Sequence, residues 1–166
     1  GLQVAYLKEI SDAENKKALV IGAGGVSPSV IFALQKSKIR NIAIINRTYE
    51  KSIFLKKKFS FLTILEWESL KQEISKFDII INATSASLNN EAVFLSDQII
   101  SKDEFFCYDL AYSDSLTPFL DWGLKRGAQI SDGIGMLVEQ AAESFSIWLD
   151  KAPQTESVIK YLKNNY

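Results

Sequence analysis

The sequence predicts an α/β fold: a doubly wound, parallel, six-stranded sheet with helices on both faces, three layers in all. Two observations carry this class. Short apolar runs alternate with helix-like segments along the chain, and the connections between them are brief. The runs are rich in Ile, Val and aromatic residues and do not alternate strictly with polar ones. Such runs suit strands buried on both faces, as in a parallel sheet.

Taken in order, the first strand falls on residues 18–21 and stops at Gly22. A helix follows over residues 27–36, with Val30, Ile31 and Leu34 on one face. The second strand takes residues 41–45. The helix after it, over 48–58, starts at Thr48, a capping residue type, and ends in a lysine run. The third strand occupies 61–65, and a helix over 67–76 sets Leu70 and Ile74 one turn apart. The fourth strand is 78–81. Residues 88–96, with Asn89 and Asn90, read as an irregular loop, and the fifth strand is 105–108. A helix over 116–126 carries Pro118 near its start, where a missing N–H is tolerated, and stops at Gly127. Residues 128–130 form a weak sixth strand. Helices over 134–149 and 157–163 close the chain.

This divides the chain into residues 1–15, a helical linker remnant between domains; 16–150, the sheet domain; and 151–166, a C-terminal helix added after the sheet is complete. Val4, Leu7 and Ile10 give the first segment an apolar face. Both ends either cover a sheet edge or pack on a neighbouring domain.

Composition excludes several function classes. Hydrophobic residues are 47% and charged residues 23% of the 166, a globular balance that argues against disorder. Lys and Arg number 19 against 20 Asp and Glu, a net charge of −1, so nothing electrostatic favours nucleic acid or an anionic membrane as partner. The chain contains no His, which removes the usual general base, the usual zinc ligand and any Ser-His-Asp site. Its single cysteine, Cys107, permits no internal disulfide and no cysteine zinc site, and no metal site is expected. Lying in an apolar run, Cys107 reads as an inert buried thiol. No run reaches the ~18 apolar residues of a membrane span, and no signal peptide opens the chain. The expected setting is cytoplasmic.

The residues after the first strand are Gly22, Ala23, Gly24, Gly25, Val26 and Ser27. This is a G-x-G-x-x-small pattern between a strand and a helix, the mark of a Rossmann-like sheet. One glycine permits the tight turn, the next admits a pyrophosphate to the backbone, and the small third residue lets helix and sheet pack closely. The helix N-terminus offers free N–H groups and a positive dipole end to the phosphates. A plain strand-to-helix turn is the competing reading. The second strand discriminates among dinucleotides. An NAD site usually carries Asp or Glu there for the ribose hydroxyls. Here stand Asn46, Arg47 and Thr48, with Lys51 one turn on. A carboxylate would repel a 2′-phosphate, whereas a planar guanidinium can pair with it twice and stack on adenine. These residues favour NADP over NAD, against the alternative of incidental surface cations.

The fourth strand runs out through Ala83, Thr84 and Ser85, small polar residues at the ligand-binding edge of such a sheet. Together the landmarks resemble the cofactor-binding half of the shikimate dehydrogenase family. They are GAGG at 22–25, NRT at 46–48, INATS at 81–85, YD-x-x-Y at 108–112, TPFL at 117–120 and DG-x-GMLV-x-QAA at 132–142. The resemblance runs unbroken over nearly the whole chain. It implies reversible reduction of 3-dehydroshikimate to shikimate with NADPH, in aromatic amino-acid biosynthesis. It assigns the turn at 22–26 to the pyrophosphate, and Asn46, Arg47, Thr48 and Lys51 to the adenosine phosphate. Leu110, Gly133 and Met136 would line the nicotinamide site. Tyr112 and Gln140 would touch the substrate, unless Tyr112 is a plain strand-end aromatic and Gln140 a core amide. Leu110 stands where the family often has Met, so its contact would be generic packing.

The resemblance also implies what this chain lacks. The family's catalytic Lys and Asp belong to its first domain, upstream of Gly1, so no catalytic residue is assigned here. Asp109 and Asp132 read as structural or loop-organising. The missing domain is the expected partner, in a monomer or homodimer, and the fragment alone is expected to be inactive. Rival readings are a dual-specificity quinate/shikimate dehydrogenase and a non-catalytic dinucleotide-binding module on the same fold.

Overall fold

In the computed structural model, which describes residues 13–85 and 105–165, six parallel strands form one sheet. They are β1 (Lys17–Ile21), β2 (Asn41–Ile45), β3 (Thr63–Leu65), β4 (Ile79–Asn82), β5 (Phe106–Asp109) and β6 (Gln129–Ser131). Their order across the sheet is β3-β2-β1-β4-β5-β6. That is the Rossmann order, with a reversal of winding between β1 and β4. The register aligns Ile21 with Ile45 and Asn82, and Asn82 with Asp109. The apolar runs therefore end together along one edge.

Alternate residues of each strand face opposite layers, so each continuous apolar run feeds two cores. On one face Ala18, Val20, Ile42, Ile44, Ile79, Ile81 and Phe106 meet Val30, Ile31 and Leu34 of α1 (Ser27–Lys36) and Leu55 of α2 (Tyr49–Lys58). Met136 of α5 (Ile134–Leu149) packs against this core. On the other face Leu19, Ile21, Ala43, Ile45, Ile80 and Cys107 meet Leu70 and Ile74, together with Phe119, Leu120 and Trp122 of a helix over Pro118–Leu124. That helix needs Gly123, since a Cβ there would lie 2.8 Å from the Cys107 sulfur.

The first and fifth helices match the sequence expectation residue for residue. The segment 67–76 does not form one helix. It is a turn over Trp67–Ser69, a single helical turn α3 (Leu70–Glu73) and another turn over Ile74–Lys76. Its two buried anchors, Leu70 and Ile74, need only one turn between them, so nothing demands a longer helix. The following helix, α4 (Pro118–Leu124), is shorter than expected; Pro118 is its first residue, and Thr117 caps it by accepting from Leu120 N–H. Gly127, at φ +81°, turns the chain out beyond it. Thr48 precedes α2 in an extended conformation, but its side chain makes no cap hydrogen bond. The expected loop at 88–96 lies outside the described residues. So does most of the helix expected over 1–15, of which only a turn at Ala13–Asn15 is described.

The last helix, α6 (Thr155–Asn165), adds nothing to either core and is tied to α5 by a 2.7 Å hydrogen bond from Thr155 Oγ1 to Glu139. The end of α5 leaves Ile147 76%, Trp148 79% and Leu149 56% exposed, and Tyr161 of α6 is 66% exposed. No described helix is long and apolar enough to cross a membrane.

Phe119 is fully buried and stacks on Trp122, with ring centroids 6.1 Å apart. Phe119→Ala is expected to cost about 3–5 kcal/mol of folding stability, read from urea unfolding of the two proteins. A loss below ~1 kcal/mol would mean that this ring does not close the second layer.

Candidate functional site

The sheet's carboxyl edge collects the residues singled out above. At Gly22 the chain turns with φ +109°, and its amide still donates to Ile45 O at 2.8 Å, extending the β1–β2 ladder. Only glycine fits here on two counts. The backbone is left-handed, and a Cβ would lie 2.9 Å from Thr84 Cγ2 and 3.0 Å from the Ala83 carbonyl oxygen. Gly24 and Gly25 differ: a Cβ at either meets nothing within 4 Å, and both face open space. Ser27, where a third glycine often stands, is fully buried, and its hydroxyl donates to Gly22 O at 2.9 Å. The small residue thus fits the close approach and adds a clasp to the turn.

Helix α1 begins with Val26 as its N-cap and no capping side chain. The amides of Gly24, Gly25 and Val26 make no hydrogen bond among the described residues. Three N–H groups at a helix N-terminus, beside two glycines with clear space, make a cradle for an anion.

Asn46 joins this turn to the second strand. Its Oδ1 accepts from Ala23 N–H at 3.1 Å, and its Nδ2 donates to Thr48 O at 2.8 Å. Its amide therefore organises the loop directly. Arg47, Thr48 and Lys51 are exposed, and neither cation has an ion-pair partner among the described residues.

On the other side of β1 lies a buried polar cluster. Asp109 has no exposed surface. Its Oδ1 accepts from Asn82 Nδ2 at 3.0 Å and from Ala111 N–H at 3.1 Å, and its Oδ2 accepts from Thr117 Oγ1 at 2.7 Å. All three partners donate, as an ionised carboxylate, an acceptor only, requires. This fixes the Asn82 amide with its oxygen outward, where it accepts from Thr84 N–H at 3.1 Å and Thr84 Oγ1 at 2.7 Å. Ala111 in turn accepts from Gly133 N–H at 3.2 Å. A Cβ on Gly133 would lie 2.1 Å from Leu110 O, so glycine lets the β6 turn sit against the β5 exit. Leu110 and Met136 belong to the same apolar core.

The structure thus brings together Gly22, Ala23, Ser27, Asn46, Thr84, Leu110 and Gly133 through direct contacts. It leaves Ser85, Tyr112 and Gln140 exposed. Gln140 is consequently not a core amide, and its backbone carbonyl accepts from Ser144 Oγ at 3.1 Å. Asn82 and Thr117 were missed as site residues; their signal was an Asn and an Asp ending adjacent apolar strands at matching positions. Asp109 and Asp132 organise loops as expected, Asp132 by accepting from Ile134 N–H at 3.1 Å. Burial, with the nearby Asp109 charge, pushes the Cys107 thiol up from 9.0 to about 12, which keeps it protonated and unreactive. The described residues contain no group of three or more His, Cys, Asp or Glu able to hold a metal ion.

The chain matches the family model described as "Shikimate / quinate 5-dehydrogenase" over residues 5–112. It also matches "Shikimate 5'-dehydrogenase C-terminal domain" over residues 133–163. A curated relative from Legionella pneumophila (strain Lens), "Shikimate dehydrogenase (NADP(+))", is 38% identical over 159 residues. The match covers 95% of this chain and 58% of the relative, so the chain spans little more than half of that protein's length. Among solved structures, a shikimate dehydrogenase from Aquifex aeolicus superposes with a TM-score of 0.79 at 34% identity, covering 92% of this chain and 55% of the other. One from Thermus thermophilus, in complex with NADP(H) and shikimate, gives a TM-score of 0.74 at 25% identity, with 92% and 56% covered.

The glycines of the edge separate by geometry into tolerant and intolerant positions. Gly133→Ala forces a methyl against the backbone at Leu110 and is expected to cost about 1–3 kcal/mol. Gly25→Ala meets open space and should change stability by less than about 0.5 kcal/mol. Urea unfolding of both variants checks this; equal losses would contradict the close approach at Gly133.

Proposed function

As the chain belongs to the shikimate / quinate 5-dehydrogenase family, we propose that it is the NADP-binding part of a shikimate dehydrogenase. The observation that carries this is the pairing of two features. The amides of Gly24, Gly25 and Val26 at the α1 N-terminus have no partner among the described residues, and Arg47 and Lys51, with no ion-pair partner among them, follow Asn46, which is bonded to that turn. A dinucleotide in such a sheet crosses the crevice at the winding reversal, here between β1 and β4. Its pyrophosphate falls to Gly22, Ala23, Gly24, Gly25, Val26 and Ser27, and its adenosine phosphate to Asn46, Arg47, Thr48 and Lys51. Its nicotinamide falls to the side of β4 and β5, where Ala83, Thr84, Ser85, Leu110, Gly133 and Met136 lie. The absence of a carboxylate among residues 46–48 supports NADP over NAD.

The reaction we assign to the whole protein is reversible reduction of 3-dehydroshikimate to shikimate. Bound NADPH supplies the hydride. This chain's residues hold the cofactor and exclude water along the apolar wall of Leu110 and Met136. Tyr112 and Gln140, exposed and free to meet a ligand, would bind the polyhydroxylated ring. No acid–base group is assigned within the chain. The Lys and Asp that would move the proton at the reacting oxygen belong, on this reading, to the part of the longer protein outside these 166 residues. The exposed apolar residues Ile147, Trp148 and Leu149 form the surface we assign to packing against that part.

Two outcomes follow. The 166-residue chain should bind NADPH in a fluorescence titration yet give no NADP reduction with shikimate; measurable turnover would refute the division of labour. Arg47→Asp should weaken NADPH about 10- to 150-fold, corresponding to the ~1.5–3 kcal/mol of a charge-assisted contact, with little change for NADH. Equal losses for both nucleotides would mean that Arg47 does not meet the 2′-phosphate.

A further inference from the structure

Asp109 is a fully buried carboxylate that exposes no oxygen to a ligand. Burying a charge is costly unless every lone pair is well used, and an apolar residue there would avoid that cost. Donors reach it from three different segments: Asn82 at the end of β4, Ala111 at the exit of β5, and Thr117 at the head of α4. Each continues outward. Asn82 holds Thr84 by both its amide and its hydroxyl, and Ala111 holds the amide of Gly133. Thr84 and Gly133 stand on opposite sides of the β5 exit, so one carboxylate fixes both. If the Asn82 amide turned over, its Nδ2 would face Thr84 N–H, donor against donor, and the bond to Asp109 holds it the other way.

We propose that Asp109, through Asn82 and Ala111, is a positioning residue for the nicotinamide half of the dinucleotide site. The proposal rests on the reading of this chain as an NADP-binding domain. The cluster lies wholly on the β4–β5 side of β1, away from Asn46, Arg47 and Lys51. The phosphate turn touches the cluster where Gly22 lies against Thr84, but its hydrogen bonds are its own, Gly22 N–H on Ile45 and Ser27 Oγ on Gly22. Loosening the cluster should therefore affect one half of the ligand and spare the other. Adenosine 2′,5′-bisphosphate, which has the adenosine half without nicotinamide, separates the two.

The test measures both probes on the wild-type chain and on variants. Asp109→Asn replaces one acceptor oxygen with an amide and leaves the Thr117 hydroxyl hydrogen unaccepted. It should weaken NADPH about tenfold or more while adenosine 2′,5′-bisphosphate changes less than about twofold. Should Asp109→Asn fail to fold, Thr117→Val and Thr117→Ser decide. Valine removes the hydroxyl and should weaken NADPH alone, and serine restores the hydroxyl and should restore affinity. Parallel loss of both probes, or no loss of either, overturns the proposal, since a merely structural role would not discriminate between halves. If the wild-type chain binds neither probe, the cofactor reading itself falls and takes this one with it.

Discussion

Parallel pairing imposes one constraint from which the rest of this molecule follows: every strand must leave the sheet at the same edge. The register aligns the strand ends, so the backbone groups freed where each ladder stops are crowded into one line. Helices already cover both faces, and the edge cannot be closed by more sheet. Its polar groups must find partners among loop residues or a ligand. The chemistry of this chain is concentrated there for that reason.

The sequence meets the constraint in a regular way. Ile45 is followed by Asn46, and Ile81 and Tyr108 by Asn82 and Asp109. Each polar residue folds back on neighbouring backbone or side chains instead of pointing to solvent. Asn46 bridges the first turn to the second strand, and Asn82 and Asp109 bond to each other across the β4–β5 pair. The loops are thereby held without further secondary structure. Glycine completes the arrangement where two turns touch: Gly22 against Thr84, and Gly133 against Leu110. The amides of Gly24, Gly25 and Val26 have no partner among the described residues.

The two ends of the molecule contrast. Each sheet face is buried under helices, yet α5 runs past the sheet, and its last turn leaves Ile147, Trp148 and Leu149 largely exposed. The α6 helix is tied to α5 through Thr155 and Glu139, and its Tyr161 is exposed. Exposed apolar residues side by side are what a packing partner would cover. The chain spans 58% of the Legionella relative's length.

How much of this was legible in the sequence depends on the range of the interaction. Strands and the long helices follow from local patterns: continuous Ile- and Val-rich runs, the helical spacing of Val30, Ile31 and Leu34, and Pro118 before an apolar turn. The glycine turn and the cationic loop at Arg47 were equally plain, because each is written in consecutive residues. The failures were also local in origin: Leu70 and Ile74 fit a helix that needed only one turn, and Thr48 carried a capping side chain that caps nothing. What only the tertiary structure decided was which strand lies beside which, and hence that Asn82 meets Asp109 from 27 residues away and that Thr84 meets Gly22 from farther still. A hydrogen bond between strand ends depends on sheet order and register, and these are set by the packing of two cores at once, which no single stretch of residues encodes.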